Sequence, residues 1–199
     1  MITWDERYAK TDYAYGTEPN AFLAEHAGMI PRGGTVLCLA EGEGRNAVWL
    51  AQQGYKVTGV DSSSVGLEKA QTLAAGRGVS IETHCVDLAE FHIEQNSWDG
   101  IVSIFCHVPP AIRQRLHLET VAGLKPGGVL ILEAYRPKQL EYGTGGPPVA
   151  ELMMQLDETR QELHGLEWLH AAELEREVIE GKYHTGKGAV VQLIGKKPV

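Results

Sequence analysis

The sequence predicts a doubly wound α/β sheet, a set of mostly parallel strands with helices on both faces, closed by an antiparallel C-terminal hairpin. Three observations predict it. From Val36 to Tyr135, short apolar runs alternate with stretches of helical spacing, the pattern of repeated β/α units. The run from Val36 to Ala51, VLCLAEGEGRNAVWLA, breaks from an apolar strand into a glycine loop and resumes as a helix, as at the first turn of a nucleotide-binding sheet. Asp61 then ends the next strand about 20 residues beyond that loop, where a carboxylate in such a fold accepts hydrogen bonds from ribose.

Taken in order, Met1 to Asn20 is aromatic and polar without clean periodicity, and Trp4, Tyr8, Tyr13 and Tyr15 make it either a strap outside the domain or a lid over a ligand. Asn20 is placed to cap a short helix over Ala21 to Ala27. After the first strand, Gly42 and Gly44 permit backbone angles that a side chain forbids and let a flat ligand approach the main chain. A helix over Arg45 to Gln53 and a strand over Tyr55 to Val60 follow. Ser62 or Ser63 can cap the next helix, with Val65, Leu67, Ala70, Leu73 and Ala74 as its apolar stripe. Val79 to Val86 reads as a third strand leading to Asp87-Leu88, a carboxylate at the same sheet edge and within reach of an adenine amino group.

Trp98-Asp99-Gly100 opens a fourth strand, Ile101 to Cys106, apolar enough to be covered on both faces. Pro110 suits the first turn of a helix to Leu124, and the turn Lys125-Pro126-Gly127-Gly128 leads into a strand over Val129 to Tyr135. Beyond the Gly143 to Pro148 loop a mixed helical stretch carries Leu152, Met153, Leu156, Leu163 and Leu166, with the methionines as core. Glu173 to Val178 and Gly188 to Gly195 read as strands whose connection, Ile179 to Lys187, is too short for a parallel crossover. If the first of them runs parallel to the others, Tyr183 and His184 arrive at the carboxyl edge.

With 199 residues and 43% hydrophobic content the chain suffices for one sizeable core, so one domain is expected over residues 1–199. It divides into a lid segment 1–20, a cofactor-binding core 35–135 and a substrate-side portion 136–199. The net charge of −8 argues against a nucleic-acid partner and for a small-molecule one. No apolar stretch approaches the roughly 18 residues of a membrane span, and MITWDERYAK lacks the apolar core of a secretory signal, which points to a cytoplasmic chain without a membrane partner. Cys38, Cys85 and Cys106 fall in or at the end of apolar runs and are expected as buried, reduced thiols. Oligomeric state is written in none of these features.

These stretches together resemble class I S-adenosylmethionine-dependent methyltransferases of the small tellurite-resistance and thiopurine methyltransferase type. VLCLAEGEGRNAVWLA, VTGVDSSSVGLEKA, Val86-Asp87, WDGIVSIF, LKPGGVLILEAY, the terminal hairpin and the lead WDERY followed by YAYGTEPNAFL carry the likeness over nearly the whole chain. The resemblance implies a Rossmann-like sheet of seven strands with a reversed last strand, S-adenosylmethionine as cofactor and a small-molecule methyl acceptor, for example a thiol, thiopurine or chalcogen oxyanion. It places the loop from Ala40 to Gly44, with Ala40, Glu41, Gly42 and Gly44, toward the methionine part, Asp61 at the ribose, Asp87 and Leu88 at the adenine, and Phe105, Cys106 and His107 near the sulfonium, with Arg45 and Ser62 also expected to bind the cofactor. The pattern usually has an acid where Cys38 stands and a glycine where Ala40 stands. Glu41 and Glu43 restore negative charge nearby, and one of them, Glu41 first, is then expected to meet the methionine amino group.

Acceptor contacts are expected from Trp4, Tyr8, Tyr13, Tyr15, Tyr142, Tyr183 and His184. If the acceptor needs deprotonation, His107 is the first candidate base, with Tyr15 the other candidate catalytic side chain. No metal is expected, since the histidines and cysteines lack ligand spacing. A nicotinamide-dependent oxidoreductase shares the glycine loop and the acidic ribose ligand, and a non-catalytic methyltransferase-like binding domain shares the fold; the antiparallel tail and the LKPGG turn favour methyl transfer.

Overall fold

The computed structural model describes residues 3–199; Met1 and Ile2, the first two residues of the expected segment 1–20, lie outside the described residues. A seven-stranded sheet has the order β3-β2-β1-β4-β5-β7-β6. Its strands are β1 (Thr35–Leu39), β2 (Lys56–Asp61), β3 (Glu82–Cys85), β4 (Trp98–Ile104), β5 (Leu124–Tyr135), β6 (Glu167–Glu180) and β7 (His184–Lys196). β1 to β5 pair in parallel, and β7 lies antiparallel between β5 and β6. β6 therefore runs the same way as β5, and the β6–β7 turn sits at the carboxyl edge.

The helices are α1 (Trp4–Tyr8), α2 (Ala21–His26), α3 (Arg45–Gln52), α4 (Ser64–Gly76), α5 (Pro110–Gly123) and α6 (Leu156–Glu162). Alternation along β1 divides the core: Val36 and Cys38 face α2, α3 and α4, while Leu37 and Leu39 face α5 and α6. Full burial of a Val or Leu stabilises by about 1.5–3 kcal/mol, so this strand alone anchors both layers. Two caps fix helix starts near the edge: Asn20 Oδ1 accepts from Leu23 N at 2.9 Å, and Ser63 Oγ accepts from Gly66 N at 3.0 Å.

Several boundaries differ from the expected ones. β3 is a four-residue edge strand with little cover, so Cys85 is exposed, while Cys38 and Cys106 are buried. β4 stops at Ile104: Phe105 N still donates to Glu133 O of β5 at 2.7 Å, but its φ of 51° turns the chain away, so Cys106 lies beyond the strand. β6 and β7 extend to 14 and 13 residues, and the expected nine-residue connection shrinks to residues 181–183. Charged residues alternate along edge strand β6 and hide its strand character in the sequence. The stretch 152–166 is helical only in α6, and Met153 and Met154 are core. In the lead, Thr3 and Glu6 form a capping box that starts α1, with Glu6 N donating to Thr3 Oγ1 at 3.2 Å and Thr3 N to Glu6 Oε2 at 2.7 Å.

Candidate active site

β1 and β4 are neighbours in the sheet but not in sequence, so their carboxyl ends flank the crevice at which doubly wound sheets bind ligands. The residues leaving both strands, Ala40 and Phe105, each have φ 51°. Such left-handed geometry costs a non-glycine residue on the order of 1–2 kcal/mol, and strain of this kind clusters at ligand sites.

The two loop glycines do different work. Gly42 (φ 61°) opens toward the N-terminal segment, where a Cβ would come within 2.7 Å of the Tyr8 hydroxyl. Gly44 (φ 89°) instead admits α4, since a Cβ there would meet the Ala70 Cβ at 2.5 Å. Its missing side chain thus serves the packing of α4. Glu41 turns inward: Asn46 N and Ala47 N donate to its Oε1 at 3.1 and 2.8 Å, and its side chain packs on Gly59. It caps α3 from below, so its expected contact with a ligand amino group does not fit this geometry. Burial raises its carboxyl to about 7 against the hydrogen bonds of those two amides.

At the end of β2, Asp61 receives Gly42 N on Oδ2 and Ser63 N on Oδ1, both at 2.8 Å. A carboxylate offers about four lone-pair sites, so acceptor capacity remains for a hydroxyl-bearing ligand. Burial raises its pKa. Ser62 contributes its carbonyl to the Cys85 thiol at 3.7 Å. Asp87 Oδ1 accepts from Ala89 N at 2.8 Å, shaping the turn that carries buried Leu88.

On the other side of the crevice the rings gather. His184 lies 4.5 Å from Tyr15, 4.7 Å from Phe105 and 5.3 Å from Tyr135, between ring centroids. Tyr15 is 6.0 Å from Tyr183 and 6.4 Å from Tyr8, which stacks on half-exposed Trp4. Arg7 Nη1 donates to the Tyr15 hydroxyl at 2.9 Å, yet burial still raises that phenol. Two candidates stand apart from this cluster. Tyr13 stands over α4, its hydroxyl donating to Lys69 O at 3.2 Å, and Tyr142 packs on Lys187, whose Nζ is 5.0 Å from its ring centroid.

His107 is a staple and not a free base. Its Nδ1–H donates to Leu152 O at 2.9 Å and its Nε2 accepts from Tyr135 N at 3.3 Å, so neither nitrogen is left to take a proton. Burial lowers it to about 4. Burial also lifts the Cys106 thiol to about 12. The expected base therefore holds the end of β5 against the loop before α6.

Behind the rings lies a buried ionic network whose members are far apart in sequence. Arg176 donates to Glu133 Oε1 and Oε2 at 2.6 and 3.0 Å and to Glu180 Oε1 at 3.0 Å. Asn20 Nδ2 donates to Glu133 Oε2 at 2.8 Å and Glu180 Oε1 at 2.9 Å, and Arg45 Nη2 to Glu180 Oε2 at 2.5 Å. Two carboxylates and two guanidiniums balance in charge, which burial requires. The other arm of Arg45, Nη1, and Nδ1 of His184 have no hydrogen-bond partner among the described residues, although the two side chains belong to residues only 7% and 9% exposed. Burial first, then the Arg45 charge, lowers His184 to about 3, so it stays neutral.

A family model of a methyltransferase domain matches residues 36–128, from β1 to the turn inside β5. The chain is 25% identical over 213 residues to the thiopurine S-methyltransferase of Pseudomonas fluorescens (strain Pf-5), covering 96% of this chain and 92% of that protein. It superposes with TM-score 0.75 on a structure concerned with conversion of a disulfide bond into a thioacetal group during echinomycin biosynthesis, at 20% identity over 98% of this chain and 88% of the other. TehB from Haemophilus influenzae gives TM-score 0.74 at 19% identity, over 98% of this chain and 65% of that one. Among the described residues no helix is long and apolar enough to cross a membrane. The domain match and the homologue, on a sheet of this order with its glycine loop and acidic second-strand end, support a class I S-adenosylmethionine-dependent methyltransferase over the nicotinamide alternative.

Proposed function

We propose that this chain, acting as one domain, methylates a small anionic nucleophile, a thiolate or chalcogen oxyanion, seated between Tyr15, Phe105, His184 and the free arm of Arg45. The observation that carries this reading is the pair of buried, unpartnered groups, Arg45 Nη1 and His184 Nδ1, beside an aromatic wall. A guanidinium arm without a partner costs free energy unless a ligand supplies an acceptor, and a soft anion suits both the charge and the rings. The thiopurine S-methyltransferase homologue points to the same acceptor chemistry.

S-adenosylmethionine supplies, when bound, a methyl carbon made electrophilic by its sulfonium. The residues present fit it: Asp61 retains acceptor capacity for ribose, Asp87 and Leu88 border the adenine side, and Ala40 and Phe105 open the crevice between them. Glu41 holds the start of α3 in place of touching the amino group. Burial keeps His107 and His184 neutral and keeps the proton on Tyr15, so none of the three serves as a base; the acceptor arrives already ionised, and orientation is what the chain contributes. Incubation with methyl-labelled cofactor and a panel of thiols, thiopurines, tellurite, selenite, phenols and amines tests this. Labelled thiol or chalcogen product is expected, with rate following the acceptor's own ionisation; labelled amine as the main product would sink the reading.

A further inference from the structure

Lys69, on α4, has a side chain only 18% exposed, although a lysine on a helix surface ordinarily reaches water. Its ammonium donates to three backbone carbonyls of the N-terminal segment: Asp12 O at 2.8 Å, Lys10 O at 2.9 Å and Tyr8 O at 3.3 Å. It also pairs with the carboxylate of Glu43, the second glutamate of the glycine loop, whose side chain is 3% exposed. The Tyr13 ring covers the ammonium at 4.7 Å, and the Tyr13 hydroxyl returns to Lys69 O. Glu43 then reaches the segment directly, accepting from Ala14 N at 2.7 Å.

Residues 9–19 contain no helix or strand, so their carbonyls lack ladder partners and must find others or water. One ammonium on α4 meets that need at alternate residues, which sets the path of the segment. That path lays Tyr8 over Gly42 and Gly66 and brings Tyr15 to His184. On the far side the segment is tied to the hairpin by Lys182 N donating to Ala14 O at 3.0 Å and by the Asp12–Lys182 ion pair. The two ties differ, because the hairpin side is exposed and the Lys69 side is not.

We propose that Lys69 is a positioning residue for the cofactor site: by gathering the Tyr8, Lys10 and Asp12 carbonyls onto Glu43, it holds residues 8–15 as a roof that cofactor and product must lift to pass. This rests on the reading that the crevice beneath is the cofactor site. Lys69→Met removes the clasp; Glu43→Gln combined with Lys69→Met also removes the buried carboxylate left unpaired, and so serves if the single variant fails to fold. Two readouts are needed: dissociation of S-adenosylhomocysteine, followed by chase, and amide hydrogen exchange. Dissociation is expected to speed up about tenfold or more, since changes of this kind fall mainly on the off-rate. Exchange is expected to rise in residues 8–15 and to hold steady in β1 and β4. Unchanged dissociation in a folded variant overturns the inference, whether or not exchange rises. Wild-type protein that fails to bind S-adenosylhomocysteine overturns the site reading instead, and the inference with it.

Discussion

At the ends of β1 and β2, Glu41 and Asp61 meet backbone amides of neighbouring β/α units, whereas on the β5–β7 side polar groups meet side chains from distant parts of the chain. Glu41 reaches Ala47 N across 6 residues and Asp61 reaches Gly42 N across 19. Arg45 meets Glu180 across 135 residues, and Asn20 meets Glu133 and Glu180 across 113 and 160. The first half forms with its β/α units. The second exists only after the hairpin and the N-terminal segment have docked, so its parts should fail together.

The sharpest way to break the comparison is Glu133→Ala. Glu133 is fully buried and receives both Arg176 and Asn20. Removing it leaves a guanidinium without compensation, and the expected loss is about 3–5 kcal/mol in denaturant unfolding. A loss below about 1 kcal/mol would show that water replaces the carboxylate, and that this half is less dry than its packing implies.

Deleting residues 1–18 tests the roof as a whole while sparing Asn20. The sheet should persist and some cofactor binding remain, while acceptor turnover falls by about a hundredfold, the scale on which misplaced reacting groups lose rate. Full turnover in steady-state assays would reduce the segment to a strap on the outside.

Opposite responses to pH separate the halves next. Glu41 is raised from 4.5 to about 7 in the folded chain, so its contribution is complete below 4.5 and is lost as pH rises through about 7. His107 is lowered from 6.5 to about 4, so its contribution is complete above 6.5 and is lost as pH falls toward about 4. Glu41→Gln should therefore fare better, relative to wild type, at about pH 8 than at about pH 5, by about 2 kcal/mol, and His107→Gln the reverse. Unfolding free energies of each variant at both pH values decide it; shifts of the same sign in both would refute the assignment.

The smallest effect sharpens the β1–β3 side alone. Asp61→Ala should weaken S-adenosylhomocysteine binding about tenfold by calorimetry, the scale of one hydrogen bond to a charged group. Unchanged affinity would remove Asp61 from the site.

Much of the β1–β3 side was legible because each of its signals is local. The glycine loop between a strand and a helix, Asp61 at the next strand end and Ser63 as a cap are short-range patterns, and the structure keeps them in place. Even here the direction of a side chain was not legible: Glu41 turned to cap α3, and Gly44 served helix packing. On the β5–β7 side the sequence shows residues without their partners. Tyr15, Tyr183 and His184 were named from the lead and the turn, but the same reasoning missed Glu133, Glu180, Arg176 and Lys69 and gave His107 the role of a base. A carboxylate in the apolar run LILEAY was the one visible hint of a buried partner.

By itself the sequence determined the order of strands and helices, the glycine loop, the acid at the end of the second strand and the sense of the final hairpin, because periodicity, caps and turn residues act within a few positions. Tertiary structure alone decided which ionisable groups lie next to each other and which lose water. It joined Glu43 and Lys69, left one arm of Arg45 without a partner among the described residues beside His184, and engaged both nitrogens of His107. Charge state and hydrogen-bond partner depend on distance and desolvation, and neither is fixed until the chain has closed on itself.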